Sequence, residues 1–160
     1  MPKPLLVRVH VAAAVTAIAV ITTFLVSSGV TELLGGTSDI RTLRHAIVFG
    51  LPLLIACLAT AGLTGRRLGA GSRSFVLARK QRRLQAAAAV GLLVLVPCAL
   101  ILNHLAAAPV PGSAFAVLEI TEFLFGTLNL SLLALNFRDG RRIARRHRSP
   151  RLRQPVGSRP

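Results

Sequence analysis

Four apolar stretches, separated by polar segments, account for most of the chain. They cover residues 9–29, 46–64, 84–105 and 113–136. A helix needs about 20 apolar residues to cross the hydrocarbon core of a bilayer. Lipid offers no partner for backbone N–H and C=O groups, so each stretch must be helical. The pattern predicts an all-α integral membrane protein built as a four-helix bundle.

The distribution of basic residues predicts how this bundle is oriented. Of the 20 Lys and Arg residues, all except Arg41 and Arg44 lie in the N-terminal segment, in the loop between the second and third stretches, or after residue 137. Cytoplasmic loops carry an excess of Lys and Arg. We therefore expect an N-in/C-in protein of the bacterial cytoplasmic (inner) membrane. Its transmembrane domain covers 1–137, and a basic, disordered cytoplasmic tail covers 138–160.

The first stretch has an alternative interpretation as a cleaved signal peptide. Lys3 and Arg8 precede an apolar segment that ends near Ser27 and Ser28, and this order matches the regions of such a peptide. The apolar segment is long for that role and can span a bilayer without help. We expect a retained helix.

Composition argues against a soluble protein and against familiar enzyme chemistry. Hydrophobic residues make up 52% of the chain and charged residues 16%, with a mean hydropathy of +0.62. Cys57 and Cys98 fall within apolar stretches, where they are expected to be small buried residues rather than a disulfide. The chain contains no HExxH, CxxC, GxSxG, Walker or GxGxxG motif. We expect a non-enzymatic protein without a metal site.

The basic segments are predicted to bind anionic lipid headgroups, since Lys and Arg near a membrane surface are attracted to them. The residues concerned are Arg79, Lys80, Arg82, Arg83, Arg141 and Arg142. The Arg-rich tail also suggests nucleic acid, but no aromatic residue follows Phe137 to stack on bases. Nucleic-acid binding is therefore not expected.

Polar residues inside the fourth stretch form a stripe along one face. Glu122, Asn129 and Asn136 recur every seven residues, and Glu119 lies one turn before Glu122. Ionisable groups in transmembrane helices are costly and mark functional or packing sites. This stripe is predicted to face the interior of the bundle.

Other polar residues are predicted to join this stripe at one end of the bundle. Arg44 and His45 open the second stretch, and Asn103 and His104 close the third. The second and third helices are antiparallel, which places the two histidines at similar depth. The expected intramembrane polar cluster consists of Arg44, His45, Asn103, His104, Glu119, Glu122 and Asn129.

Three interpretations of this cluster remain open. The first is an internal network of hydrogen bonds and ion pairs that sets helix register. The second is a b-type haem site with His45 and His104 as axial ligands. The third is a proton- or ion-coupled small carrier that uses Glu119 and Glu122. The expected cofactor is none, with haem b as the alternative.

Two segments carry a family resemblance. The strings ITEFLFGTLNLSLLALNFRDGRR and LPLLIACLATAGLTGRRL, in the last two-thirds of the chain, resemble those of uncharacterised small four-helix bacterial membrane proteins. The resemblance implies the four-helix topology and no activity or ligand. We expect an accessory or structural subunit of a larger membrane complex. Its partners would be membrane lipids and either another membrane protein or a second copy of the chain.

Overall fold

The protein is all-helical in the computed structural model, which describes residues 2–69, 75–108 and 112–148, without the side chains of 3, 75–80 and 142–148. The helices are α1 (Lys3–Leu34), α2 (Thr37–Gly69), α3 (Phe75–Val90), α4 (Val96–Leu105) and α5 (Ser113–Arg148). A π-helical turn, Gly91–Leu95, joins α3 to α4 without a break. The segment Gln81–Leu105 runs through α3, the π-helical turn and α4 and counts as one helix. With it, the described ranges contain four helices that are long and apolar enough to cross a membrane, as the sequence predicts.

The helices extend beyond the apolar stretches from which they were predicted. Helix α1 continues to Leu34 and ends at Gly35, and α2 begins at Thr37. Helix α5 continues through Arg148, so 138–148 are helical where a disordered tail was expected, and 149–160 lie outside the described residues. An apolar stretch ends where polar residues begin, whereas a helix ends where the backbone dihedral angles change. Arg and Ala are good helix formers, and no proline interrupts this segment.

The two prolines within the apolar stretches have different effects. Pro97 is the second residue of α4, and the π-helical turn directly precedes it. Proline has no N–H group, and its ring collides with the carbonyl four residues earlier. The wider turn, in which the Val96 N–H group donates to Gly91 O, accommodates this defect. Helix α2 remains helical across Pro52.

Close contacts show that α1 packs against both α2 and α5. Gly50 of α2 faces Phe24 of α1, and a Cβ atom at Gly50 would lie 2.5 Å from Phe24 Cζ. Gly126 of α5 likewise faces Leu25, and a Cβ atom at Gly126 would lie 2.8 Å from Leu25 Cδ2. Glycine at these two positions lets the helices approach closely.

The core consists of small apolar clusters distributed along the bundle. One joins Leu102 and Ala106 to Phe115, and another joins Ile47 and Leu51 to Ala99. Many large apolar side chains instead lie on the outer surface. Such a surface is unusual for a water-soluble monomer and fits a multi-pass membrane protein.

Candidate functional site

Arg44 is the centre of a buried ion-pair network. Its side chain, on α2, is 1% exposed and is paired with two carboxylates of α5. Nη2 donates to Glu119 Oε1 at 2.5 Å, and Nη1 donates to Glu122 Oε2. Glu119 and Glu122 lie three residues apart, so their side chains project from the same side of α5. We call these three residues the Arg44 triad.

The Arg44 guanidinium is buried next to an aromatic ring, so its two ion pairs matter for stability. Its carbon lies 5.6 Å from the centroid of the Phe115 ring, a cation–π contact that covers one side. Within the described part of the chain, Arg44 Nε has no hydrogen-bond partner. Loss of one partner of a buried ion pair leaves an uncompensated charge, which is strongly destabilising. The Arg44 triad therefore ties α2 to α5.

Glu32 is a third acidic residue at this site, and the hydropathy pattern did not predict its presence there. It lies in the last turn of α1, and its carboxyl group neighbours that of Glu119. The apolar stretch ends at residue 29, so the pattern placed Glu32 in a loop. A useful signal was the Gly35-Gly36 pair, since glycines commonly follow the end of a helix.

A cavity of about 390 Å³ lies beside the Arg44 triad. Residues from α1, α2 and α5 form most of its walls, and Leu95 and Ala99 complete them. The polar side chains that line it are those of Ser28, Glu32, Glu119 and Glu122; the other side chains are apolar. We call this space the acidic cavity. It combines apolar walls with carboxyl groups contributed by two helices.

The acidic cavity opens to the outside between α1 and α5. Its lining includes Leu33, Ile120 and Leu124, which are 84%, 62% and 63% exposed. Glu32 is also exposed. A molecule can therefore reach the carboxyl groups without separation of the helices.

The predicted partner His45 lies outside the bundle interior, where it contacts the half-buried Asn103. His45 Nδ1 is 3.0 Å from Asn103 Oδ1, and the His45 ring contacts Phe49 edge-on with 5.7 Å between centroids. His45 and His104 are both exposed. Successive residues of a helix point about 100° apart, and here Arg44 faces the interior whereas His45 faces outward. The predicted cluster is thus divided: Arg44 contacts the glutamates of α5 inside the bundle, and His45 contacts Asn103 on another face of α2.

This arrangement gives the haem alternative no support. Two axial histidines must face one shared space, whereas both imidazoles lie on the surface and His45 contacts Asn103. Over the described ranges, no group of three or more His, Cys, Asp or Glu side chains could hold a metal ion.

The asparagines of the α5 stripe are buried away from the Arg44 triad. Asn129 is 1% exposed and lies beside the π-helical turn, where a Cβ atom on Gly91 would be 3.4 Å from its Nδ2 atom. Asn136 is 6% exposed. In the described part of the molecule, Asn129 Oδ1 and both amide atoms of Asn136 have no hydrogen-bond partner. The stripe faces the interior, as predicted, but only its glutamates reach Arg44.

The far end of the bundle has its own polar contacts. Arg83 Nη1 is 2.9 Å from Asp139 Oδ2, which ties α3 to α5. His10 Nδ1 lies 3.0 Å from Ala61 O and 3.1 Å from Thr64 Oγ1 of α2, so His10 is separate from the Arg44 triad.

The residues predicted to bind lipid headgroups are described only in part. Arg82 and Arg141 are exposed, and Arg141 also lies 5.9 Å from the Phe137 ring centroid. The side chains of Arg79, Lys80 and Arg142 lie outside the described residues. Headgroup binding stays a prediction.

Comparisons of the chain with protein-family models, with curated proteins and with solved structures find no match. The resemblance of the two segments to small four-helix bacterial membrane proteins therefore stays a prediction.

Proposed function

We propose that this chain is a non-enzymatic, multi-pass accessory subunit of the bacterial cytoplasmic membrane. In this proposal both termini are cytoplasmic, and the bundle packs against another membrane protein or a second copy of the chain. The four apolar helices support a membrane location, and the clustering of Lys and Arg supports the sidedness.

The observation that carries the partner proposal is a polar patch on the outside of α2 and α4. It consists of His45, Phe49 and Asn103, and we call it the α2–α4 patch. His45 and Asn103 contact each other, and Phe49 is 77% exposed. Hydrogen bonds from His and Asn join transmembrane helices, and aromatic residues are enriched at protein interfaces. A neighbouring helix would pair the remaining polar atoms of this patch.

The same geometry makes the carrier alternative less attractive. A carrier that uses Glu119 and Glu122 needs carboxylates that are released during transport. Both are instead bound to the buried Arg44 guanidinium. This network fits a role in setting the register between α2 and α5.

The sidedness can be tested with reporters fused after Pro160. Because the arginine-rich segments should remain in the cytoplasm, we expect a fluorescent C-terminal green fluorescent protein fusion and an inactive alkaline phosphatase fusion. Fluorescence and phosphatase activity of cells that express equal amounts of each fusion are the measurements. An active phosphatase with a dark fluorescent protein would reverse the proposed orientation.

The partner proposal can be tested by photocrosslinking in native membranes. With p-benzoylphenylalanine in place of Phe49, we expect irradiation to give a discrete protein adduct, because this position lies in the α2–α4 patch. Val15, which is 47% exposed on α1, is the matched control position and should give no such band. A two-tag experiment then distinguishes a second copy of the chain from a different protein.

The residue dependence of the adduct makes this test specific. The Phe49 adduct should weaken when His45→Ala and Asn103→Ala are introduced together, because the polar atoms that would bond to the partner are removed. Equal adducts at positions 49 and 15, or no protein adduct at either, would contradict the proposed interface.

A further inference from the structure

The acidic cavity has more carboxyl groups than basic groups paired with them. Glu119 and Glu122 share the single guanidinium of Arg44. Glu32 lines the same cavity and has no ion pair with a basic residue among those that the structure describes. Three carboxyl groups therefore face one guanidinium, which is an excess of acidic over basic groups at this site. An added cation next to Glu32 would reduce this excess.

The walls of the cavity show what else such a cation must carry. Phe24 and Phe123 line it together with aliphatic residues such as Ile21, Leu51 and Leu54. The volume of about 390 Å³ falls in the range of cavities that hold drug-sized organic ligands. The occupant is therefore expected to combine a positive charge with an apolar body.

Other simple occupants fit less well. A hard metal cation such as Ca²⁺ takes six to eight oxygen ligands, whereas the polar lining consists of Ser28 and three glutamates, two of which bind Arg44. A lipid acyl chain would cover the apolar walls but leave the charge of Glu32 unbalanced. Charge complementarity therefore favours an organic cation over both.

From this combination we infer that the acidic cavity is a binding site for a monovalent hydrophobic cation, such as a bulky amine, quaternary ammonium or phosphonium ion. The positive charge lies next to Glu32, and the apolar groups lie between α1 and α5. Phe24 and Phe123 contribute apolar contact and the faces of their rings. This site shares no residue with the α2–α4 patch, so the inference is independent of the proposed partner interface.

Two variants separate the charge requirement from the space requirement. Glu32→Gln removes the negative charge without changing any residue of the Arg44 triad. Gly29→Leu fills the cavity from α1, where an added Cβ atom meets nothing within 4 Å. Asp39→Asn is the matched control, because it removes the charge of another exposed carboxyl group at the same end of the bundle, outside the cavity lining.

The probe is tetraphenylphosphonium, measured by equilibrium dialysis against the purified full-length chain in detergent micelles, with empty micelles subtracted. We expect saturable binding of one ion per chain. Glu32→Gln should weaken it about tenfold, because the attraction between the phosphonium charge and the carboxylate is lost. Gly29→Leu should abolish saturable binding, and Asp39→Asn should bind like the wild type. Circular dichroism confirms that each variant keeps its helical content.

Several results would overturn the inference. If the wild-type protein does not bind the probe saturably, the acidic cavity is not a binding site for such a cation. Equal affinity of wild type and Glu32→Gln removes the charge requirement, and displacement of the probe by a neutral aromatic of similar size at equal concentration indicates a purely apolar cavity. Unchanged binding to Gly29→Leu would place the probe elsewhere.

Discussion

Replacement of Arg44 by methionine is expected to lower the free energy of unfolding by about 3–5 kcal/mol. The substitution removes the guanidinium that Glu119 and Glu122 share, and it leaves two neighbouring carboxyl groups without a counter-charge. It also removes the cation–π contact with Phe115. Reversible unfolding of the purified protein in mixed detergent and sodium dodecyl sulfate micelles, followed by circular dichroism, gives the measurement.

A combined variant distinguishes the ion pairs from the packing of the Arg44 side chain. When Arg44→Met is joined to Glu119→Gln and Glu122→Gln, the uncompensated charges disappear, and most of the lost stability should return. Buried ion pairs replaced as a whole by neutral residues are often neutral or stabilising. If Arg44→Met alone leaves stability unchanged, the Arg44 triad does not tie α2 to α5.

Truncation of Leu102 to alanine is expected to lower the free energy of unfolding by about 2–5 kcal/mol, as for other buried leucines. Leu102 is 0% exposed and packs with Ala106 and Phe115. The cavity left behind would remove apolar contact from the cluster that contains the Phe115 ring, and this ring covers the Arg44 guanidinium. The same unfolding titration measures the effect.

The neighbouring residue Ile101 provides the matched control for this truncation. It lies on the same turn of α4 but is 45% exposed, so Ile101→Ala should cost far less than Leu102→Ala. The double variant Leu102→Ala with Arg44→Met should be non-additive, since both changes act on the surroundings of Phe115. Equal effects of the two alanine variants would mean that α4 does not present Leu102 to the core.

Polar residues were harder to place from the sequence than the helices themselves. Hydropathy located four spans because a long apolar segment has one low-energy solution in lipid. The sequence predicts that Arg44, Glu119 and Glu122 belong to one polar cluster, and the structure brings these residues together. The similar depth of His45 and His104 predicts that they share a cluster with Asn103, but depth does not specify the direction of a side chain around a helix.

Helix ends were misjudged for a related physical reason. Hydropathy falls at residue 29, yet α1 remains helical to Leu34 because the following residues keep their backbone hydrogen bonds until Gly35. This additional turn carries Glu32 to the acidic cavity. Hydropathy alone therefore cannot predict a site that depends on the final turn of a helix.

By itself, the sequence determined the helical class, four apolar spans and an interior-facing stripe on α5, because these depend on local composition and on the 3.6-residue period. Only the tertiary structure decided that Arg44 faces inward while His45 faces outward, and that Glu32 joins Glu119 beside an open cavity. These features depend on the rotation of each helix about its axis and on the spacing between helices. Packing among residues distant in the chain sets both quantities.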